Sequence, residues 1–150
     1  MSPTIRAATP ADRPAIERIV HDAYVGYLPR MGKKPGPMRA DYAAVLATRR
    51  VDVVEEDGAV VGLVVLEREP EGMLLENVAV APEAQGRGLG RLLLDHAEAV
   101  ARAAGCTAIR LYTHVTMVEN IARYTRAGYL ETGRADADGF DRVFMAKSLG

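Results

Sequence analysis

Apolar residues recur along the chain with two different periods, and the change from one period to the other divides the sequence into helices and strands. Helical spacing of apolar residues predicts helices at 9–28, 40–49, 88–104 and 116–128. Short apolar or alternating runs predict strands at 3–9, 50–57, 59–69, 72–80, 108–113, about 129–134 and 140–147. The segment 29–38 is rich in Pro and Gly, so we expect it to hold no regular structure.

Turn and capping residues mark several of these boundaries. Asp57 and Gly58 form a dipeptide that is typical of a two-residue hairpin between the strands it separates. Thr9 or Asp12 is the expected cap of the first helix. Thr116 and Glu119 have the spacing of a capping box, which predicts that their side chains close the first turn of the last helix.

The order of the predicted elements is β-α-α-β-β-β-α-β-α-β-β. A helix separates strand 72–80 from strand 108–113, so these two strands can pair in parallel, whereas the hairpins pair antiparallel. The prediction is an α/β (α+β) fold with a mixed central sheet of about seven strands flanked by about four helices. No repeat or long linker divides the 150 residues, so we expect one domain, 1–150.

Composition narrows the classes of function. The formal net charge is −1 at pH 7, which gives no general attraction for nucleic acid or an anionic membrane. The longest apolar stretch, 59–66, is too short to cross a bilayer, and the first residues contain no apolar secretory signal. Cys106 is the one cysteine, which fits a reducing compartment and a small buried side chain. We therefore expect a cytoplasmic protein.

The stretch "APEAQGRGLGRLLLDH" (81–96) places three glycines between a strand and a helix. It is not a Walker A loop, because the residue five positions after Gly86 is Arg91 and no Lys-Ser/Thr pair follows. It is not a Rossmann fingerprint either, because Gly86, Gly88 and Gly90 are evenly spaced. The free N–H groups of a helix start still favour an anion, although an ordinary strand-to-helix turn explains the glycines equally well.

Two motifs carry a resemblance to a known family. Gln85-x-x-Gly88-x-Gly90, after the strand "ENVAV", resembles motif A of the GCN5-related N-acetyltransferases (the GNAT superfamily). Downstream, "ENIARYTRAGYLETGR", which contains Asn120 and Tyr124, resembles motif B of that family. The resemblance covers the element order of the whole chain and is sharpest over 74–133. It implies the GNAT fold and a GNAT-type N-acetyltransferase.

The resemblance implies a donor site for acetyl-coenzyme A. In that family the glycine loop holds the pyrophosphate, main-chain groups of the preceding strand pair with the pantetheine arm, and an N–H near Val78 or Ala79 polarises the thioester carbonyl. No metal is expected. The residues expected to bind the cofactor are Val78, Ala79, Val80, Gln85, Gly86, Arg87, Gly88, Leu89, Gly90, Arg91 and Asn120.

Two residues are candidates for the proton transfers that acetyl transfer to an amine requires. The motif implies that Tyr124 protonates the coenzyme A thiolate; the alternative is a core aromatic side chain on an amphipathic helix. Glu76 interrupts the apolar strand "LLENVAV" and shares one face with Val78 and Val80, so it is the candidate base. The alternatives are a solvated or salt-bridged Glu76 and a base role taken by a chain of waters.

The sequence says least about the molecule that accepts the acetyl group. Tyr24, Tyr27 and Met38 belong to the region that usually covers the acceptor in the GNAT family, and His114 follows a strand that ends near the cleft. We expect these four residues to contact a small-molecule primary amine, with direct transfer in a ternary complex. The alternatives are a peptide or protein amine, and a non-catalytic acyl-coenzyme A sensor. A homodimer is an expectation from the family only.

Overall fold

The computed structural model describes residues 2–137 and 139–150, and the strands within these ranges form a seven-stranded mixed sheet. The strands are β1 (Thr4–Ala7), β2 (Arg50–Glu56), β3 (Ala59–Arg68), β4 (Met73–Val80), β5 (Ala108–His114), β6 (Leu130–Ala137) and β7 (Phe140–Ser148). The helices are α1 (Arg13–Tyr24), α2 (Leu28–Met31), α3 (Gly36–Arg39), α4 (Tyr42–Thr48), α5 (Leu89–Ala103) and α6 (Val118–Arg126). The strand order is β1-β2-β3-β4-β5-β7-β6, which confirms the predicted fold class.

The first four strands form an antiparallel meander in which each strand pairs with the next. The β2–β3 turn is the predicted two-residue hairpin, since Asp57 and Gly58 both have positive φ, at 52° and 80°. Glu76 is an extra residue on β4, because Val65 of β3 pairs with Asn77 and Leu66 pairs with Leu75. This β-bulge bends the strand just before the predicted cofactor segment.

β4 and β5 are parallel, as predicted, but they pair over a short distance only. Met73 pairs with Ile109 and Leu74 with Arg110, and beyond these pairs the two strands diverge. β5 then continues along β7 in an antiparallel pairing that extends from Ala108 to His114. The divergence opens the middle of the sheet at the carboxyl ends of β4 and β5, which is where ligands bind in many open sheets.

The core lies where α1 and α5 pack on β3 and β4. Ile16, Ile19 and Val20 of α1 and Leu93 of α5 are fully or almost fully buried, which confirms the predicted helical periodicity. Burial of each such side chain contributes roughly 1.5–3 kcal/mol. Gly62 of β3 allows a close approach, since a Cβ there would lie 3.2 Å from Leu93 and from the Ala79 carbonyl oxygen.

The prediction of no regular structure for 29–38 is wrong in part. The segment 28–39, here called the cover segment, contains the single-turn helices α2 and α3. Pro29 and Pro37 lie in the first turns of these helices, where a missing N–H breaks no helical hydrogen bond. Gly32, with φ of 69°, ends α2. Within the described residues, no helix combines the length and apolarity needed to cross a membrane.

The predicted capping box of α6 is also wrong. The residue that caps α6 is Met117, and its side chain makes no capping hydrogen bond. The Thr116 hydroxyl lies 2.9 Å from Nδ1 of His114, and the Glu119 carboxylate accepts a hydrogen bond of 2.8 Å from Arg30 of the cover segment. Thr116 has thus paired with a residue two positions before it, and Glu119 with a residue 89 positions away, so neither side chain caps the helix.

Candidate active site

The larger of two neighbouring cavities is a groove of about 510 Å³ that begins where β4 ends. One wall is the carboxyl end of β4 with the glycine loop and the start of α5, and the facing wall is α6 with the end of α1. Residues that line it include Tyr24, Tyr27, Val78, Ala79, Val80, Gln85, Gly86, Gly88, Leu89, Gly90, Arg91, Glu119, Asn120, Arg123, Tyr124 and Arg126. The sequence-predicted cofactor residues, with the exception of Arg87, therefore come together in this groove.

The glycine loop presents bare backbone to the groove. Gly86 and Gly88 have φ of 79° and 83°, a conformation that disfavours any side chain. A Cβ built on Gly86, Gly88 or Gly90 would meet no protein atom of the described structure within 4 Å. Helix α5 begins at Leu89, so its unpaired N–H groups lie at this bare surface and favour an anionic ligand.

Three arginines line the groove. Arg91 was predicted from the sequence, but Arg123 and Arg126 of α6 were not. The Asn120 side-chain oxygen accepts a hydrogen bond of 2.9 Å from Arg123, three residues further along α6. This spacing was a signal available in the sequence, since residues three apart share a helical face. The Arg87 guanidinium is ion-paired with Glu56 instead, so only its main chain remains with the loop.

Tyr124 lies at the inner end of the groove and is 7% exposed. Burial raises the pKa of its hydroxyl to about 12, so the group stays protonated at neutral pH. Among residues 2–137 and 139–150, no group makes a hydrogen bond with that hydroxyl. The ring is held edge-on by Tyr129, at 6.0 Å between the ring centroids. The Tyr124 hydroxyl therefore keeps its proton at neutral pH, and packing orients its ring.

The second cavity, of about 70 Å³, adjoins the groove and shares Tyr24 and Tyr124 with it. Its walls come from the cover segment, β4, β5 and the start of β7. The polar residues among those that line it are Glu76, Asn77, Tyr112, Thr113, His114 and Arg142. A molecule in this cavity and one in the groove would meet at the two tyrosines.

The family is decided by comparison with known proteins. Residues 15–129 match the family model described as "Acetyltransferase (GNAT) family". The chain belongs to the GNAT family. This confirms the resemblance carried by the two motifs, and with it the assignment to the acyltransferases.

Individual GNAT proteins show how far the likeness extends. An IAA acetyltransferase from Azospirillum brasilense is 36% identical over 101 residues, which cover 65% of this chain and 66% of that protein. N-alpha-acetyltransferase 80 from Mus musculus is 40% identical over 61 residues, which cover 41% of this chain and 18% of that protein. Both matches span less than two thirds of the relative.

Solved structures support the same fold. PaiA N-acetyltransferase from Thermoplasma acidophilum, determined in complex with coenzyme A, superposes with a TM-score of 0.81 at 18% identity, and the match covers 99% of each chain. This chain and that protein therefore share the same overall fold.

In this GNAT chain, Glu76 lines the smaller cavity and is ion-paired. Its carboxylate accepts a hydrogen bond of 2.7 Å from Nε of Arg49, which also lies 3.3 Å from Glu67. A hydrogen bond with the Glu76 carboxyl raises the pKa of Glu67. The side chain of Glu67 is 38% exposed and that of Glu76 22%, so the two carboxyl groups connect the cavity with solvent.

Asn77 is a site residue that the sequence analysis missed. It is 5% exposed, and its side-chain oxygen accepts a hydrogen bond of 2.7 Å from the Tyr24 hydroxyl. Its amide donates to the Tyr42 hydroxyl at 3.3 Å, and Tyr42 donates to the Pro37 carbonyl at 2.6 Å. This chain of hydrogen bonds joins α1, β4 and the cover segment. The signal in the sequence was a polar residue within an otherwise apolar strand.

The four residues expected at the acceptor occupy three different places. Tyr24 lines both cavities, and His114 lines the smaller one, with Nδ1 engaged by Thr116. Tyr27 lines the groove. Met38 packs against the core, and it lines neither cavity as these are formed by the described residues.

Proposed function

We propose that this chain transfers an acetyl group from acetyl-coenzyme A directly to the primary amine of a small molecule, with both substrates bound at once. The observation that carries the proposal is the position of Tyr124, a protonated hydroxyl where the groove adjoins the smaller cavity. The groove would take the donor and the smaller cavity the acceptor. The proposal treats residues 1–150 as one catalytic domain, and it keeps the cytoplasmic location and the homodimer as expectations.

The residues of the groove fit coenzyme A. A helix start at which Gly86, Gly88 and Gly90 leave the backbone bare suits the pyrophosphate. Positive charge along the same groove comes from Arg91, Arg123 and Arg126. Val78 and Val80 line the groove, and their main-chain groups would pair with the pantetheine arm. When bound, acetyl-coenzyme A would supply the activated acetyl thioester. The described residues contain no cluster of His, Cys, Asp and Glu that could hold a metal ion.

The protein groups have separate tasks in this proposal. The Tyr124 hydroxyl donates its proton to the sulfur of the departing thiolate. Glu76 accepts the proton that the amine must lose, and Glu67, which shares Arg49 with Glu76 and is more exposed, passes it towards solvent. Asn77 and Tyr24 hold β4 and α1 together beside the reacting groups.

The relatives leave two classes of acceptor to distinguish. The name of the Azospirillum relative is that of an IAA acetyltransferase, whereas the mouse relative is named as an N-alpha-acetyltransferase. The smaller cavity, at about 70 Å³ and covered by Met31 and Pro35, favours a small acceptor over a peptide. A peptide amine is the second candidate.

Tyr124→Phe tests the proposal, with Tyr129→Phe as its matched control. Release of the coenzyme A thiol would be followed with a panel of small amines and short peptides. Removal of the proton donor should lower kcat about 100-fold while coenzyme A affinity, measured by calorimetry, stays the same. Tyr129→Phe should keep full activity, because the Tyr129 hydroxyl is buried without a hydrogen-bond partner in the described structure and lines neither cavity.

Three outcomes would contradict the proposal. An unchanged rate in Tyr124→Phe would remove the hydroxyl from the reaction. Binding of acetyl-coenzyme A without thiol release for any amine would identify a binding module instead of an enzyme. Turnover of peptides alone would replace the small-molecule acceptor by a peptide amine.

A further inference from the structure

Three cationic side chains surround one aromatic ring at the wall of the smaller cavity. The ring is that of Phe140, the first residue of β7. Its centroid lies 4.5 Å from Nζ of Lys33, 5.6 Å from the guanidinium carbon of Arg39 and 5.9 Å from that of Arg142. Two of these cations come from the cover segment and the third from β7, so chain segments far apart in sequence bring positive charge to the same place.

Arg142 is held in a defined orientation. It lines the cavity, and its guanidinium carbon lies 4.4 Å from the centroid of the Tyr112 ring. Stacking on an aromatic face fixes the plane of a guanidinium and leaves its N–H groups at the edge of that plane. A fixed planar fork of this kind matches the two oxygens of a carboxylate.

The positive charge of the cover segment is not neutralised by the described parts of the chain. Neither Lys33 nor Arg39 forms an ion pair with a carboxylate in residues 2–137 and 139–150. Lys33 donates to the Gly139 carbonyl, which keeps its ammonium group above the Phe140 ring. Lys33 and Arg39 are like charges beside the same ring and repel each other, so an anionic ligand would stabilise these two side chains.

The smaller cavity also has a negative side. Glu76 lines it from β4, whereas Arg142 lines it from β7. Leu75, Leu111 and Met117 also line the cavity, and apolar side chains strengthen interactions with either charge by excluding water. A small cavity with a carboxylate on one strand and a guanidinium on another is complementary to a molecule that carries both charges.

We propose that the acceptor is a small zwitterionic amine that carries a carboxylate. Its amino group faces Glu76, and its carboxylate is bound by Arg142 with Lys33 and Arg39 of the cover segment. This inference rests on the proposed function, because it names the class of molecule that the acceptor cavity takes. The cations around Phe140 thus form a specificity site for the acceptor's acid group.

Matched pairs of acceptors test the inference. Small amino acids would be compared with their amides, and small amino alcohols with their phosphate esters, by thiol release from acetyl-coenzyme A. The amino acid should have a KM at least about tenfold lower than its amide, since only the acid engages the cations. The values of kcat should be similar, because the acid group lies away from the reacting atoms.

Variants locate the effect in the protein. Arg142→Gln should raise KM about tenfold for the amino acid and leave KM for the amide nearly unchanged, and Arg142→Lys should restore part of the loss. Lys33→Gln and Arg39→Gln should each give a smaller increase of the same kind, since both side chains are exposed. Lys34→Gln is the matched control and should change neither KM, because this exposed neighbouring lysine is not among the cations that lie over the Phe140 ring in the described structure.

The outcomes separate this inference from the proposed function. Equal KM values for acid and amide, or an Arg142→Gln effect of equal size on both, would overturn the carboxylate site while leaving the acetyltransferase intact. A phosphate ester preferred over every amino acid would overturn the carboxylate assignment and give the site to phosphate. Absence of turnover with every amine would instead contradict the proposed function.

Discussion

Three tyrosines at or beside the site are buried, but their hydroxyl groups have different surroundings. The pKa of Tyr24, Tyr124 and Tyr129 is raised in each case chiefly by burial, so all three hydroxyls stay protonated at neutral pH. The Tyr24 hydroxyl donates a hydrogen bond to the side-chain oxygen of Asn77. Tyr129 is enclosed without a partner among the described residues. Tyr124 alone of the three combines a raised pKa, no internal acceptor in the described structure and a place where both cavities meet.

The pH–rate profile of Glu76→Gln tests whether Glu76 is the base that accepts the proton of the amine. A base acts only when it is deprotonated, so the rate of the unaltered enzyme should fall as the pH is lowered. Glu76→Gln should lower kcat about 100-fold and remove this acidic limb. Glu67→Gln is the control, and it should keep most of the rate at high pH because Glu76 remains.

A profile of Glu76→Gln that retains the acidic limb of the parent enzyme would show that the base lies elsewhere, as in the water-chain alternative. The test is informative because the Glu76 carboxylate already accepts a hydrogen bond of 2.7 Å from Arg49.

The sequence could identify those site residues whose roles depend on local spacing. Gly88, Gly90 and Tyr124 belong to motifs in which neighbours along the chain are also neighbours in space. The place of Arg87 could not be predicted, because its partner Glu56 lies 31 positions away. The same limit applies to Phe140, whose cationic neighbours Lys33 and Arg39 come from the other end of the chain.

At the scale of single elements, the first turn of α5 serves both helix formation and the proposed binding of phosphate. Gly90 lies inside this turn without positive φ, and a Cβ there would meet no described atom within 4 Å. Gly90→Ala should therefore raise the free energy of unfolding by about 0.5–1 kcal/mol. It should also weaken coenzyme A binding about tenfold, or 1.4 kcal/mol, if ligand occupies that space.

Urea unfolding and calorimetry measure the two effects of Gly90→Ala separately. Gly88→Ala is the comparison, because the positive φ of Gly88 makes a side chain there cost about 1 kcal/mol and lowers stability as well as affinity. A Gly90→Ala protein that is more stable and binds coenzyme A as tightly as the parent would refute the proposed phosphate site.

The start of α6 shows why local motifs fail at some element ends. Glu119 has capping-box spacing, but the Arg30 guanidinium binds its carboxylate and lowers its pKa to about 2. The cover segment thereby contacts the start of the helix that carries Tyr124. A capping rule considers one segment at a time, so it could not anticipate a competitor 89 positions away.

At the scale of the whole molecule, stability in acid depends on the junction of β1 with α1. Arg6 donates to both carboxylate oxygens of Asp12, at 2.8 and 2.9 Å, and these hydrogen bonds lower the pKa of Asp12 to about 2. A lowered pKa in the folded state stabilises the fold above the unfolded pKa of about 4, and the contribution is lost as the pH falls towards 2.

Asp12→Asn should therefore lower the free energy of unfolding by about 2 kcal/mol at neutral pH. The difference from the parent should shrink below about pH 4 and vanish near pH 2. Urea unfolding across this range measures it, with Glu17→Gln as the control, because the exposed Arg13–Glu17 pair should contribute under 1 kcal/mol. If the free energies of unfolding of Asp12→Asn and the parent differ by the same amount at every pH, the loss of stability comes from altered packing or hydrogen bonding and not from the lost charge.

Hydrophobic periodicity was sufficient to predict the type of nearly every long element, because each buries one face against a common core. The order in which β5, β6 and β7 lie in the sheet could not be predicted from hydrophobic periodicity. β7 inserts between β5 and β6, and this insertion depends on pairings such as Tyr112 with Phe144, which no local pattern encodes. The smaller cavity depends on the same pairing, so its composition also had to come from the structure.

The place of β7 sets the order in which the molecule can assemble during synthesis. β1 to β4 are neighbours in the sheet in the order in which they are made, so each can pair as the next one forms. β5 has only two residue pairs with β4, and its long antiparallel partner is β7, the last of the seven strands to be made. Because β7 also carries Phe140 and Arg142, the framework of the groove can form early, whereas the acceptor cavity is completed only when β7 has left the ribosome.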